Sequence, residues 1–122
     1  MTLDYLVFEY SEDDQGNTTW DAMASVQAHQ WPALLREVHH VLHWACCEFH
    51  GRQGPLEEGG DWDFDLTAHH DDSGKRLPID WQSSSAKIDA QTPMSTGYHT
   101  LTLTLSGTAA FSEALQHQFN LE

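Results

Sequence analysis

The segment from Pro32 to His50 constrains the fold more than any other part of the chain. Its apolar side chains recur at steps of three and four residues, the period of a helix with one apolar side. They are Leu34, Leu35, Val38, Val41, Leu42, Ala45 and Phe49. A proline in the first helical turn needs no hydrogen-bond donor, and Gly51 follows the segment as a typical C-terminal cap. The pattern predicts an amphipathic helix over residues 32–50 that lays its apolar side on a sheet.

Several other segments have the composition or the two-residue alternation of β-strands. Leu101, Leu103 and Leu105 alternate strictly with threonines, which is typical of a strand with one buried face. The predicted strands cover residues 3–10, 18–26, 61–68, 77–81 and 98–105. A second helix is predicted over residues 108–119. Residues 82–96 are poorly patterned and are interpreted either as a loop or as containing a short strand at Ala86–Ala90.

These elements predict an α+β fold. Short connections between several strands favour antiparallel pairing. We therefore expect a mainly antiparallel sheet of four to five strands, with two helices packed on one face and the order ββαβββα. A chain of 122 residues has the usual size of one domain, so residues 1–122 are predicted to form a single domain.

The charge balance restricts the partners that the protein can have. Nineteen acidic residues oppose five basic ones, and the formal net charge is −14 with the histidines neutral. Binding to a phosphate backbone or an anionic membrane depends on clustered Lys and Arg, and the longest basic run here is Lys75-Arg76. The composition therefore disfavours nucleic acid and membranes as partners, and it favours a basic protein. The alternative is that the acidity serves only solubility.

The cysteines and the N-terminus bear on the location of the protein. Cys46 and Cys47 are adjacent in a predicted helix, where a bond between them would be strained. No disulfide framework is therefore expected, which favours a reducing compartment. The first residues lack the basic start and apolar core of a signal peptide, and no apolar run has membrane-spanning length. These features predict a cytoplasmic protein.

A row of potential metal ligands lies on the predicted central helix. At about 100° per residue, the side chains of four of them fall within an arc of about 60°. They are His39, His43, Cys46 and His50, called here the histidine stripe. Imidazole and thiolate are ligands for zinc or copper, but one straight helix cannot surround an ion. Further ligands would have to come from elsewhere in the chain. The candidates are His69, His70, Asp71 and Asp72, provided that their turn folds near the helix. The alternative interpretation is a boundary of amphipathic histidines without metal.

Asp61, Asp63 and Asp65 alternate with Trp62, Phe64 and Leu66. This spacing predicts the wet face of a strand rather than a calcium loop, because the required glycine and glutamate are absent. Such an acidic face is a candidate for docking a basic partner. Trp44 lies away from the apolar side of the predicted helix, so it is interpreted either as an exposed contact residue or as a side chain covered by the loop that follows the helix.

No nucleotide-binding loop, serine nucleophile motif or other catalytic signature is present in the sequence. The sequence therefore favours a non-enzymatic interaction module that binds a basic protein or associates with itself as a homodimer. Asp61, Asp63, Asp65 and Trp44 are its predicted contact residues. The alternative is a zinc- or copper-binding protein that uses the histidine stripe. A weaker third hypothesis is an enzyme with a pocket between the sheet and the helix.

Overall fold

A computed structural model of the protein describes residues 3–82, 85, 87–90 and 97–121. Two helices and six strands are formed in this part of the chain. In chain order they are β1 (Phe8–Glu12), β2 (Thr18–Gln27), α1 (Trp31–Glu48), β3 (Trp62–His70), β4 (Ile79–Gln82), β5 (Lys87–Ala90), β6 (Tyr98–Gly107) and α2 (Ala109–Gln118). Short 3-10 turns at Ala28–Gln30 and Leu56–Glu58 precede α1 and β3.

The main sheet contains four strands in the order β1-β2-β6-β3, and every neighbouring pair is antiparallel. β4 and β5 form a separate antiparallel pair. The predicted α+β class and mainly antiparallel sheet are therefore confirmed. The observed order is ββαββββα, because the short strand left open at Ala86–Ala90 forms over Lys87–Ala90. The remainder of the poorly patterned segment, at residues 83, 84, 86 and 91–96, lies outside the described residues.

The two faces of the main sheet have different environments. The even-numbered residues of β2 from Thr18 to Val26 are buried, as are Leu101, Leu103 and Leu105 of β6. Both helices cover this face: Trp31 of α1 contacts His99 of β6, and Phe111 of α2 stacks on Trp62 of β3. The opposite face has no helix over it within the described residues, and most of its side chains are partly or fully exposed; Thr100, which is 4% exposed, is an exception.

The amphipathic helix docks as the sequence predicts. Val38, Val41, Leu42 and Ala45 of α1 are all fully buried, and they belong to one hydrophobic cluster that includes residues of β2, β3, β6 and α2. Burying a Val or Leu side chain contributes roughly 1.5–3 kcal/mol. The free energy of folding therefore depends on this side of α1. Neither helix in the described residues is long and apolar enough to span a membrane.

The chain before β1 differs from the prediction. The predicted strand of residues 3–10 begins only at Phe8, and Asp4 and Tyr5 lie in a bend. The backbone N–H groups of residues 4–6 donate to the buried carboxylate of Glu37, which lies on α1. Because a side chain binds these amides, they are unavailable to the ladder of a neighbouring strand. Alternating apolar residues alone could not reveal this arrangement.

Candidate docking face on the open side of the sheet

The uncovered side of the main sheet is polar and acidic, and we call it the open face. It is formed by the outward residues of the four strands and by Val7, which immediately precedes β1. Its members are Val7, Glu9, Ser11, Thr19, Asp21, Met23, Ser25, Gln27, Asp63, Asp65, Thr67, His69, Tyr98, Thr100, Thr102, Thr104 and Ser106. The alternation of each strand determines this composition, because every second side chain points away from the helices.

A row of carboxylates crosses the open face. In the strand register, Glu9 lies opposite Asp21, Asp21 opposite Thr104, and Thr104 opposite Asp65. With strands about 4.8 Å apart, the row is about 14 Å long. Thr104 donates a hydrogen bond to Asp21. Like charges directly opposite each other in a sheet are destabilising, so the pairing of Glu9 with Asp21 costs stability in the isolated protein.

The row has no lysine or arginine beside it on the strands of this face, although Arg76 lies opposite His69 at the edge of β3. The four strands of the main sheet contain neither Lys nor Arg. Over the part of the chain that the structure describes, the ion pairs are Arg52 with Asp61 and His69 with Asp71. The carboxylates of Glu9, Asp21 and Asp65 therefore present uncompensated negative charge to solvent.

An apolar area lies beside the carboxylate row. The Val7 side chain is 72% exposed and that of Met23 is 64% exposed, which is unusual for apolar side chains on a sheet. They line a shallow depression of about 340 Å³ together with Glu9, Asp21 and Thr102. Exposed apolar surface with a charged border is typical of a protein-binding site. The open face thus combines charge and apolar contact area in one place.

The other end of the open face is held together by Asp71, which follows β3. Thr100 Oγ1 donates to Asp71 Oδ1 at 2.6 Å, and Ser25 Oγ lies 3.5 Å from Asp71 Oδ2. His69 Nε2 is 3.7 Å from Asp71 Oδ1. These contacts join β2, β6 and the end of β3. Asp71 is therefore engaged within the protein.

The three aspartates predicted as contact residues lie in different environments. Asp61 forms a two-point contact with Arg52, whose Nε is 2.8 Å from Asp61 Oδ2, and the hydrogen bond from this guanidinium lowers the pKa of Asp61. Asp63 Oδ1 accepts a hydrogen bond from the Gln53 side chain at 3.3 Å. Asp65 is exposed on the open face. Of the three, Asp65 is the one best placed to meet a partner.

Trp44 is partly buried between the helices. Its ring centroid lies 5.8 Å from that of Phe111 and 5.6 Å from that of Phe119, both contributed by the α2 region, and 6.1 Å from that of Phe49. The structure therefore gives Trp44 packing contacts with the α2 region, which is not the loop that the sequence suggested as its cover. A role for Trp44 in binding stays a prediction.

The histidine stripe does not converge on one point. His39 and His43 stack with ring centroids 5.4 Å apart, but His43 lies against Cys47 rather than Cys46. Cys46 is partly buried and packs on the core. In the turn at residues 69–72, the His70 ring packs on His99, which in turn contacts Trp31 at the start of α1. Residues 3–82, 85, 87–90 and 97–121 contain no group of three or more His, Cys, Asp or Glu side chains that could hold a metal ion.

The sequence pattern did not identify Glu9 and Asp21, two acidic residues of the open face, as contact residues. The alternation of residues 18–26 does place Asp21 and Met23 on one side, which was an available signal. The register that brings Glu9 and Asp65 into line with Asp21 depends on pairing between distant strands, which no local pattern encodes.

No protein family model matches the chain, and comparisons with characterised proteins and with solved structures found no match.

Proposed function

We propose that the protein is a non-enzymatic interaction module whose open face binds a basic segment of another protein. The observation that carries this proposal is the row of Glu9, Asp21 and Asp65 on an uncovered face whose strands contain no Lys or Arg. The row costs stability in the free protein, and a partner that supplies Lys or Arg side chains would remove this cost. Carboxylates that face a basic patch on the partner also raise the rate at which the two proteins associate.

The apolar area defines the partner further. Val7 and Met23 expose aliphatic surface next to the carboxylates. Burial of apolar surface contributes to affinity, whereas exposed charges contribute mainly to the association rate and to specificity. The fitting partner is therefore a segment in which basic residues flank an apolar side chain.

The open face disfavours a second copy of this chain as its occupant. In a two-fold dimer the same patch meets itself, so the carboxylate row would face another carboxylate row or lie beside it. Like charges brought together in this way oppose association. The partner proposed for the open face is a different, basic protein; a homodimer through another surface stays a prediction.

The proposal is tested by capture from a lysate of the native host with the immobilised protein as bait. We compare the wild type with the double variant Asp21→Asn, Asp65→Asn, which removes two charges from the row. The control is Glu57→Gln, Glu58→Gln, which removes two charges from exposed residues of the 3-10 turn that do not belong to the open face. We expect one basic protein to bind the wild type and the control, to be lost with the face variant, and to dissociate as salt is raised, because salt screens exposed charges.

A second variant tests the apolar part of the face. Met23→Ser keeps every charge and removes aliphatic surface, so we expect weaker capture at all salt concentrations. Equal capture by the wild type and the Asp21, Asp65 variant would refute the proposal. A loss shared equally by the Glu57, Glu58 control would show that only net charge matters and would refute the proposed site as well.

A further inference from the structure

A histidine and a cysteine on the exposed side of α1 lie within reach of one metal ion. His43 Nε2 is 3.7 Å from Cys47 Sγ, and both residues are exposed. They are four residues apart, so one helical turn places their side chains side by side. Cys46 is turned toward the core, which leaves Cys47 as the thiol beside this imidazole.

The separation of the two atoms matches the requirement of a tetrahedral zinc ion. Zinc lies about 2.3 Å from a cysteine sulfur and about 2.0–2.1 Å from a histidine nitrogen. At the tetrahedral angle these bond lengths place sulfur and nitrogen about 3.6 Å apart. The observed 3.7 Å differs by only about 0.1 Å, so the helix presents the two ligands at the required distance. We propose that His43 and Cys47 form a two-ligand chelate for Zn²⁺ or a similar transition metal ion on the surface of α1.

The neighbouring side chains hold the imidazole in place. The His39 ring stacks on that of His43 with an angle of 14° between the planes. The His39 ring in turn packs edge-on against Trp81 of β4, with centroids 5.7 Å apart. Trp81 is only 4% exposed, so this chain of contacts links His43 to a fixed part of the protein. A ligand that is already oriented loses less conformational entropy when the metal binds.

The number of ligands determines how strongly the metal ion is expected to bind, and the presence of a thiolate determines how binding depends on pH. The pair supplies two ligands, and no third His, Cys, Asp or Glu joins it among the described residues, so water fills the other positions. We therefore expect weaker binding than at a structural zinc site with four protein ligands. Cysteine binds zinc as the thiolate, so its proton is released to solvent on binding and affinity rises with pH.

The test is a titration of the full chain with Co²⁺, which replaces zinc in tetrahedral sites and absorbs in the near ultraviolet when a thiolate is bound. The wild type is expected to give a thiolate-to-cobalt charge-transfer band that Zn²⁺ then removes. The variants Cys47→Ser and His43→Gln are expected to lose the band. Cys46→Ser is the matched control, because it removes the adjacent thiol and should keep the band.

Two results would overturn the proposal. One is the absence of a charge-transfer band in the wild type, which would leave the contact as a hydrogen bond between thiol and imidazole. The other is a band that persists in Cys47→Ser and disappears in Cys46→Ser. Far-ultraviolet circular dichroism of each variant separates loss of the site from loss of the fold, and both proposed ligands are exposed, so their replacement leaves the core intact.

Discussion

The side chain of Glu37 shows how one residue can decide the course of a segment distant in sequence. It is 8% exposed, on the side of α1 that faces the N-terminal segment. Its carboxylate oxygens accept backbone hydrogen bonds at 2.9–3.1 Å from Asp4, Tyr5 and Leu6. A buried carboxylate is costly unless it is hydrogen-bonded, and three amides meet that need here. The contact also brings Leu6 into the core, where it is 2% exposed.

Replacing Glu37 with alanine should therefore destabilise the protein. The change leaves up to three backbone donors without their acceptor, and we expect a loss of about 2 kcal/mol. The free energy of unfolding measured in urea tests this. Glu48→Ala, an exposed glutamate of the same helix, is the control and should change it little. Equal effects of the two substitutions would contradict the role given to Glu37.

His39 should make stability depend on pH in the mildly acidic range. Burial, followed by the nearby His43 and His40, lowers the pKa of His39 below its ordinary value of 6.5. Arg36 and Lys87 line the same depression and add positive charge to its surroundings. In the unfolded chain His39 gains a proton as the pH falls through about 6.5, whereas in the fold it gains one only at lower pH. The stability that His39 contributes is thus fully present above about pH 6.5 and is lost as the pH falls from there through the lower pKa of the folded state.

The substitution His39→Gln isolates this effect, because every other titrating group remains in both proteins. We expect the variant to lose less stability than the wild type when the pH is lowered past about 6.5, as measured by urea unfolding at a series of pH values. If the two proteins lose the same stability over this range, His39 does not have the depressed pKa.

The junction between β6 and α2 depends on a close approach of an aromatic ring to the backbone. The Phe111 ring lies parallel to Trp62, with centroids 5.7 Å apart, and close over Gly107. A Cβ added at Gly107 would lie 2.2 Å from Phe111 Cδ2. Thr108 begins the helix as its N-cap, with its side chain accepting a hydrogen bond from the N–H of Phe111. Gly107 thus lets α2 start immediately after the strand and lie on the sheet.

The substitution Gly107→Ala should disrupt this junction. The Phe111 ring is fully buried among other aromatic rings and has little room to move, so we expect a loss of about 1–3 kcal/mol from overpacking. Thermal unfolding followed by circular dichroism measures the change. Ser106→Ala, at the adjacent outward position of β6, is the control and should leave the midpoint nearly unchanged. A Gly107→Ala protein as stable as this control would show that the ring moves aside freely.

Local patterns predicted the elements well where tertiary contacts agree with them. The helix predicted over residues 32–50 is observed at Trp31–Glu48, and the strictly alternating strand at residues 98–105 extends to Gly107. The prediction of residues 3–10 differed because Glu37, distant in sequence, binds the backbone there. Elements whose apolar residues recur at a regular spacing were thus predictable, whereas a segment held by a side chain distant in sequence was not.

At the scale of the whole molecule, the candidate site was only partly predictable. The alternation of residues 61–68 correctly predicts outward aspartates, and Asp65 is exposed on the open face. The pairing of Asp61 with Arg52 was not predictable, because it depends on the path of the intervening loop. The carboxylate row was not predictable either, since it requires the strand order β1-β2-β6-β3, which brings together residues from the beginning, middle and end of the chain.

The carboxylate row should reduce the stability of the isolated protein at low ionic strength. Glu9 lies directly opposite Asp21, so Glu9→Gln is expected to stabilise the free protein by about a few tenths of a kcal/mol. The gain should shrink as salt is added, because salt screens the repulsion. Urea unfolding at low and high salt measures both effects. Destabilisation by Glu9→Gln, or a gain independent of salt, would contradict the electrostatic interpretation.

Because both helices of the described part of the chain cover one side of the main sheet, the residues of the core and those of the proposed binding surface occupy alternate positions of the same strands. In β6 the odd-numbered leucines from Leu101 to Leu105 belong to the core, and the even-numbered threonines between them face outward. A randomised library restricted to outward positions of β2 and β6 would therefore sample new binding specificities while the interior stays as it is. Variants that bind a new partner could therefore be selected from such a library without redesign of the fold.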